Sequence, residues 1–484
     1  VAIVRSGVFS IVATAFRASV QIVSNVVVAR VLGPDAYGVA AAVLALGVVL
    51  ELVRNSGFAA VVLRSGALPA DVHVALHRAS SLTGVLLGAL VAAAGLLVLR
   101  VLPSSPSGGL LLAIAMAFPL AGLVAVPIAS MVRQHEMGRV ALVESIAVVL
   151  GSTLSIGLAL VGAGPVAMVA QVVALWIVIT VGVVVLRRVP RGTAAPWRSV
   201  RTMAALARDV SLVQLVSLVA RAGDRVLVAA LFGPAASGLW VQAVQLMTLP
   251  LDQIGAAVQR IAVPAMAGVD AVVLRERFRR LVGTVTLLAW PVLAVLGVLA
   301  GPIVHLLFGD DWLGSAALLP SLVVAGGAQA LGFAAVWYFI ASGRAGRQVR
   351  WALVTQPVLV GALVVGTVWG PQGMAAAYAV ACSGLVVPAF LVATKGSGLR
   401  LRDLGLPVLP AAAATSAAVL VSAVVRSGLG ADPIGSVLVP GILAALAALL
   451  VALVFPDVRS ALPRRRRRPP RPRPRKALAR GPVP

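Results

Sequence analysis

Apolar runs of about twenty residues recur from one end of this chain to the other, long enough to cross the roughly 30 Å hydrocarbon core of a bilayer. Backbone groups in that core must satisfy their own hydrogen bonds, which restricts such runs to α-helix. The chain is 60% hydrophobic and 11% charged, with mean hydropathy +1.05, far from the balance of a soluble domain. It reads as an all-α polytopic membrane protein. The net charge of +25 does not point to nucleic acid, because the basic residues sit between spans and in the tail. Cys382 is the single cysteine and lies in an apolar run, so no intrachain disulfide is expected. The first apolar stretch is too long for a cleavable signal peptide and is expected to be a span.

About 14 transmembrane helices are expected, near 8–31, 37–57, 80–102, 109–132, 139–162, 165–186, 209–231, 238–262, 281–306, 314–341, 350–369, 372–393, 406–425 and 434–455. Pro291, Pro302 and Pro320 interrupt the ninth and tenth. One set of alternate loops carries Arg54, Arg64, Arg78, Arg133, Arg139 and the basic residues of 187–208, 260–280, 344–350 and 395–402. The opposite set holds little beyond Arg30, Arg100 and Arg426. Arginine and lysine accumulate on the cytoplasmic side, so both termini are expected there. Residues 1–190 form an expected six-helix lobe and 209–395 a second, pseudo-symmetric with the first. Residues 191–208 are an amphipathic or simply solvated linker, 396–456 add two helices, and 457–484 form a disordered Pro/Arg-rich tail suited to contact with anionic lipids.

A short phrase occurs twice. Leu32-Gly33-Pro34-Asp35-Ala36-Tyr37-Gly38 recurs 200 residues later as Phe232-Gly233-Pro234-Ala235-Ala236-Ser237-Gly238. The glycines are expected to close their helices in the left-handed conformation, with the prolines preventing continuation. The turn itself is expected to touch no substrate. Polar residues ahead of each copy repeat with it: Arg17, Gln21, Ser24 and Asn25 share one face of the first span, and Gln214, Ser217, Arg221, Asp224 and Arg225 one face of the seventh. Two related halves around a shared centre are a common build for a transporter.

Ionisable groups inside a span cost about 2.5–3.5 kcal/mol each on insertion scales, so they require an interior or aqueous setting. Arginine presents a planar fork of donors that matches phosphate oxygens and stays charged at any ordinary pH. A cationic, amide-lined cavity holding Arg17, Gln21, Asn25, Arg221 and Arg225 would suit a head group bearing phosphate or pyrophosphate. The competing reading makes these arginines structural glue, paired with Asp224, Glu51, Glu144 or Asp252. Glu51 and Asp252 could instead couple transport to an ion gradient. Asp310-Asp311 is expected to cap the following helix, and His305 to stand alone. His73, His77 and His135 lack companions at metal-ligand spacing, so no metal is expected. No phosphate-cradling loop or nucleophile elbow occurs, so no catalytic residue and no cofactor are assigned, and the drive is left to an ion gradient or the membrane potential.

The run Val27-Val28-Ala29-Arg30-Val31-Leu32-Gly33-Pro34-Asp35-Ala36-Tyr37-Gly38 resembles the opening signature of bacterial polysaccharide-biosynthesis flippases. These are the O-antigen and exopolysaccharide members of the multidrug/oligosaccharidyl-lipid/polysaccharide exporter superfamily. Gly301 to Trp312, through Leu307-Phe308-Gly309-Asp310-Asp311, is similar to the turn such proteins carry after their ninth span. The resemblance implies two six-helix lobes plus two C-terminal helices, alternating access, and movement of an undecaprenyl-pyrophosphate-linked oligosaccharide between leaflets. By position it would place Arg17, Asn25, Arg221 and Arg225 at the cavity, with glycosyltransferases or a polymerase of the same pathway as partners. The alternatives are a flippase for the peptidoglycan lipid precursor and, from another class, an integral-membrane glycosyltransferase or polymer ligase. The minimal external loops disfavour an enzyme.

Overall fold

The computed structural model describes residues 2–45, 57–64, 68–186, 190, 192–266, 268–395, 399–428 and 434–455. At 2–12, 57, 60, 64, 197–200, 202–222, 260, 271 and 345 only the backbone course is described. Glu51 and the tail from 456 onward therefore lie outside the described residues, as does the side chain of Arg221.

The described residues with regular structure are helical. In chain order the helices are α1 (Ala2–Leu44), α2 (Gly57–Arg64), α3 (Ala70–Val101), α4 (Ser107–Ala115), α5 (Ala117–Arg133), α6 (Met137–Leu160), α7 (Val166–Val185) and α8 (Trp197–Met266). There follow α9 (Ala271–Val298), α10 (Ala300–Phe308), α11 (Leu313–Ala341), α12 (Ala345–Gly366), α13 (Gly370–Thr394), α14 (Leu401–Gly405), α15 (Leu409–Gly428) and α16 (Gly435–Val454). Among the described residues, eleven helical stretches are long and apolar enough to cross a membrane. Three of them, Ala13–Leu44, Gly223–Gln259 and Gly346–Thr394, run through Gly33, Gly233 and Gly370 and so join two expected spans each, although most of the expected span 37–57 lies outside the described residues. The protein is a multi-pass integral membrane protein of the expected fold class. Its outward surface agrees: Leu82, Leu86, Leu90 and Leu97 form an exposed stripe along α3 that only lipid would leave favourably uncovered.

Two apolar cores divide the helices. One gathers Val91, Phe118, Val124, Trp176 and Ile179 from α3, α5 and α7. The other gathers Trp240, Phe278, Trp312, Tyr338 and Phe390 from α8 to α13. The last pair of helices docks through small residues at four-residue spacing, Ala414 and Ala418 against Ala444 and Ala448, with Leu287 and Val295 of α9 packed over them. Without a hydrophobic force between helices in lipid, such close backbone approach is what holds them.

The repeated phrase forms the centre. Gly33 has φ 71° and ψ 171°, and Gly233 φ 86° and ψ 173°. Positive φ is as expected, but ψ is extended rather than left-handed helical. Proline is the reason: its ring clashes with a helical residue before it and forces extended ψ. The combination is open essentially to glycine alone, and the helix resumes immediately beyond it as a sharp bend. Gly370, before Pro371, repeats the geometry at φ 74° and ψ −169°.

The two bends pack on one another. A methyl built on Gly38 would fall 1.8 Å from the carbonyl oxygen of Pro234, and one on Gly238 would fall 2.3 Å from that of Pro34. A hydrogen bond across each bend repeats as well. Tyr37 Oη donates to Asn25 Oδ1 at 2.7 Å, and at the equivalent positions Ser237 Oγ donates to the carbonyl of Arg225 at 3.2 Å. The 200-residue repeat of the sequence is thus a structural two-fold.

Asp310 departs from expectation. Its carboxylate lies 2.7 Å from His305 Nδ1, so the histidine is not alone, and neither the short 3-10 turn Asp310–Trp312 nor α11 begins with a side-chain cap. Gly309 at φ 95° turns the chain so that Trp312 is fully buried, edge-on to Tyr37 at 5.3 Å between ring centres. The two stretches that carry the family resemblance meet at these rings.

Candidate functional site

α1 and α8 cross at their bends, and on the N-terminal side of the α1 bend they enclose a cavity of about 370 Å³ together with α7. From α1 come Gln21 and Asn25, and from α7 comes Gln171. The segment of α8 after its bend supplies Gln245, Thr248 and Asp252, spaced by three and four on one helical face, and Gln253 beside them. Five amides therefore surround the space. An amide carries a donor pair and an acceptor on one planar group, a set that matches hydroxyl and acetamido groups of a sugar; Gln171 already donates to Ser152 Oγ at 3.3 Å.

The end of the cavity nearest the bends is closed by a layer of buried polar contacts. Asn25 accepts from Tyr37 and turns its amide nitrogen to Gln242 Oε1 at 3.5 Å. Behind them Trp240 Nε1 donates to Asp224 Oδ2 at 2.9 Å, and the backbone N–H of Arg225 donates to Asp224 Oδ1 at 2.8 Å. Tyr37, Trp240 and Gln242 are each at most 2% exposed. Closure at this end is tight because the glycines let the two bends touch.

The residues expected at the site separate into groups. Gln21 and Asn25 line the cavity, and so does Asp252. Arg17 forms an ion pair with Glu144 of α6 and donates to Thr14 Oγ1 at 3.2 Å, its side chain 18% exposed. A charge so poorly hydrated needs a counter-charge, and Glu144 supplies it. Arg225 is half-buried beside the bend and is not among the lining residues. Asp224 is held by Trp240. Among the described residues the lining contains no arginine, and its charged member is Asp252. No group of three or more potential metal ligands comes together among the described residues.

Gln171, Gln245, Thr248 and Gln253 were not anticipated. The spacing test that isolates the face of the first span also isolates Gln245, Thr248 and Asp252 in the eighth. What the sequence does not reveal is that this face turns toward Gln21 and Asn25, since neither lies at the 200-residue offset from it.

A family model described as polysaccharide biosynthesis protein matches residues 27–317, more than half of the chain. The chain belongs to that family. The match opens at Val27, where the first signature begins, and closes just past Trp312. No curated protein matches the chain. Among solved structures, lipid II flippase MurJ in an inward closed conformation superposes with a TM-score of 0.76 over 93% of this chain and 98% of its own, at 14% identity. An inward-facing multidrug resistance MATE family transporter of the MOP superfamily gives 0.64 at 16% identity, covering 82% and 98%. A MOP superfamily transporter from Pyrococcus furiosus gives 0.56 at 17%, covering 82% and 95%. This polysaccharide biosynthesis family member thus has the MOP superfamily fold.

Proposed function

We propose that this protein is a flippase that moves an undecaprenyl-pyrophosphate-linked oligosaccharide across the bacterial inner membrane by alternating access of its two lobes. Both termini are cytoplasmic in this reading, as the loop arginines suggest. The observation that carries it is the amide-lined cavity of about 370 Å³ between the repeat-related helices α1 and α8. Gln21, Asn25, Gln171, Gln245 and Gln253 hold glycan hydroxyls there. Arg225 and Arg221 are the groups assigned to the pyrophosphate, and Arg17 joins them only by exchanging Glu144 for the substrate. Family membership and a transporter fold support the reading.

The test is transport in proteoliposomes loaded with a fluorescent undecaprenyl-pyrophosphate oligosaccharide. Gln21→Ala combined with Gln245→Ala should slow translocation about tenfold, because two hydrogen bonds of about 0.5–1.5 kcal/mol each are lost. Unchanged translocation by that variant would remove the cavity from the pathway. The likeness to lipid II flippase MurJ favours one second reading, a peptidoglycan precursor as cargo. Labelled precursor run in parallel separates the two by which molecule crosses. Formation of a glycosidic bond in either assay would instead identify an enzyme.

A further inference from the structure

A second cavity lies away from the central one, where α9 meets α14. It measures about 420 Å³ and is lined by Arg275, Glu276 and Arg279 of α9 and by Arg402 and Asp403 of α14, with Val272 and Leu406 at its margin. Arg275 and Arg279 are one turn apart and share a face. Asp403 organises the site. It is 1% exposed, accepts from Arg275 Nε at 2.8 Å and takes the backbone N–H of Arg400 at 2.9 Å. Arg275 is thereby fixed through one nitrogen, leaving its terminal fork without a partner among the described residues. Glu276 is engaged by Arg280 at 2.7 Å. The guanidinium groups of Arg279 and Arg402 donate no hydrogen bond among the described residues. The groove thus has both its acids occupied and three guanidinium groups with donors to spare.

Its level on the molecule narrows the ligand. In α9 the charged turn Arg275–Arg280 gives way at Leu281 to a mainly apolar stretch without a charge, and α14 leads through one short 3-10 turn into the largely apolar α15. The groove therefore sits at the boundary between water and hydrocarbon. Val272, Leu401, Leu406 and Leu409 around it are all more than 45% exposed, an apolar rim beside a cationic floor. Guanidinium forks match phosphate oxygens, and the rim offers contact to acyl chains. We infer that this groove binds the phosphate of an anionic membrane phospholipid, clamping α9 to the C-terminal helix pair.

Vesicles containing the full chain and a photoactivatable phosphatidylglycerol test this, with crosslinked peptides mapped by mass spectrometry. Label is expected on peptides covering 271–281 and 401–409. Arg279→Gln combined with Arg402→Gln should lower it about tenfold, while label on the basic tail stays unchanged as an internal control. Arg402 is exposed, so Arg402→Gln alone keeps the chain folded and should lower the label about threefold. Equal label from photoactivatable phosphatidylcholine, or unchanged label in both variants, overturns the inference. So does displacement by excess inorganic phosphate, which would assign a small-anion site instead.

Discussion

Arg17 and Asn25 stand on one face of one helix, yet the fold uses them differently. Asn25 faces the cavity with its acceptor held by Tyr37, whereas Arg17 is drawn aside by Glu144 of α6. Both ion-pair members are under 20% exposed, so removing one leaves a poorly hydrated charge, which costs up to about 3 kcal/mol. Arg17→Gln should therefore lower the thermal midpoint of the purified protein in detergent, and adding Glu144→Gln should restore most of it. Transport separates the roles. If translocation recovers in the double variant, Arg17 is structural; if stability recovers while translocation does not, Arg17 exchanges Glu144 for substrate during the cycle.

At the scale of elements, the Gly-Pro bend does more than end a helix. Proline forces extended ψ, glycine permits positive φ, and the helix turns sharply without stopping. The second glycine of each phrase then lets the bends interlock, with backbone rather than a flexible side chain as the neighbour. Gly38→Ala and Gly238→Ala would each drive a methyl into a proline carbonyl, and neither backbone can move away without separating the bends. Overpacking of this kind costs about 1–3 kcal/mol or more. The expected outcome is a shift toward a state with the bends apart. A cysteine placed by Gln21→Cys should then react at least severalfold faster with a membrane-impermeant reagent applied from the bend side. Unchanged labelling in both alanine variants would show that this contact does not close the cavity.

Across the whole molecule, the 200-residue repeat becomes a two-fold axis, but the cavity beside it is not symmetric. Its amides come from the first span, from α7 and from the eighth span, and the offset partners of Gln245, Thr248 and Asp252 in the eighth span are the apolar Ala45, Val48 and Leu52. The repeat sets the frame, and the difference between the two offset faces gives the cavity its polar lining. The fold tolerates such divergence, since it superposes on MurJ at a TM-score of 0.76 with 14% identity. Global orientation gives the remaining prediction. Reporters fused before α1 and after α16 should be found on the same face of the membrane, the one bearing the arginine-rich loops. Reporters on opposite faces would mean an odd number of crossings and would overturn the proposed topology.

Much of this was legible along the chain. The number of spans follows from hydrophobic length, because a bilayer admits only helices there. The family follows from two short stretches in correct order, and Gln21 and Asn25 follow from helical periodicity. The glycine conformation was half legible: positive φ was readable, but the extended ψ depended on the clash with the next residue. The capping role given to Asp310 failed because Gly309 takes the cap position of the turn and Trp312 that of α11, and the Asp310 carboxylate reaches back to His305.

What the sequence by itself determined is what each segment must be: a membrane helix, a bend, a polar face. Which faces meet was decided only in three dimensions. Arginine and glutamine are both unwelcome in hydrocarbon, so the pattern alone cannot say which of these polar residues is taken up by a partner and which looks into a cavity. Packing made that choice when it brought Glu144 to Arg17 and the amides of α8 to those of α1.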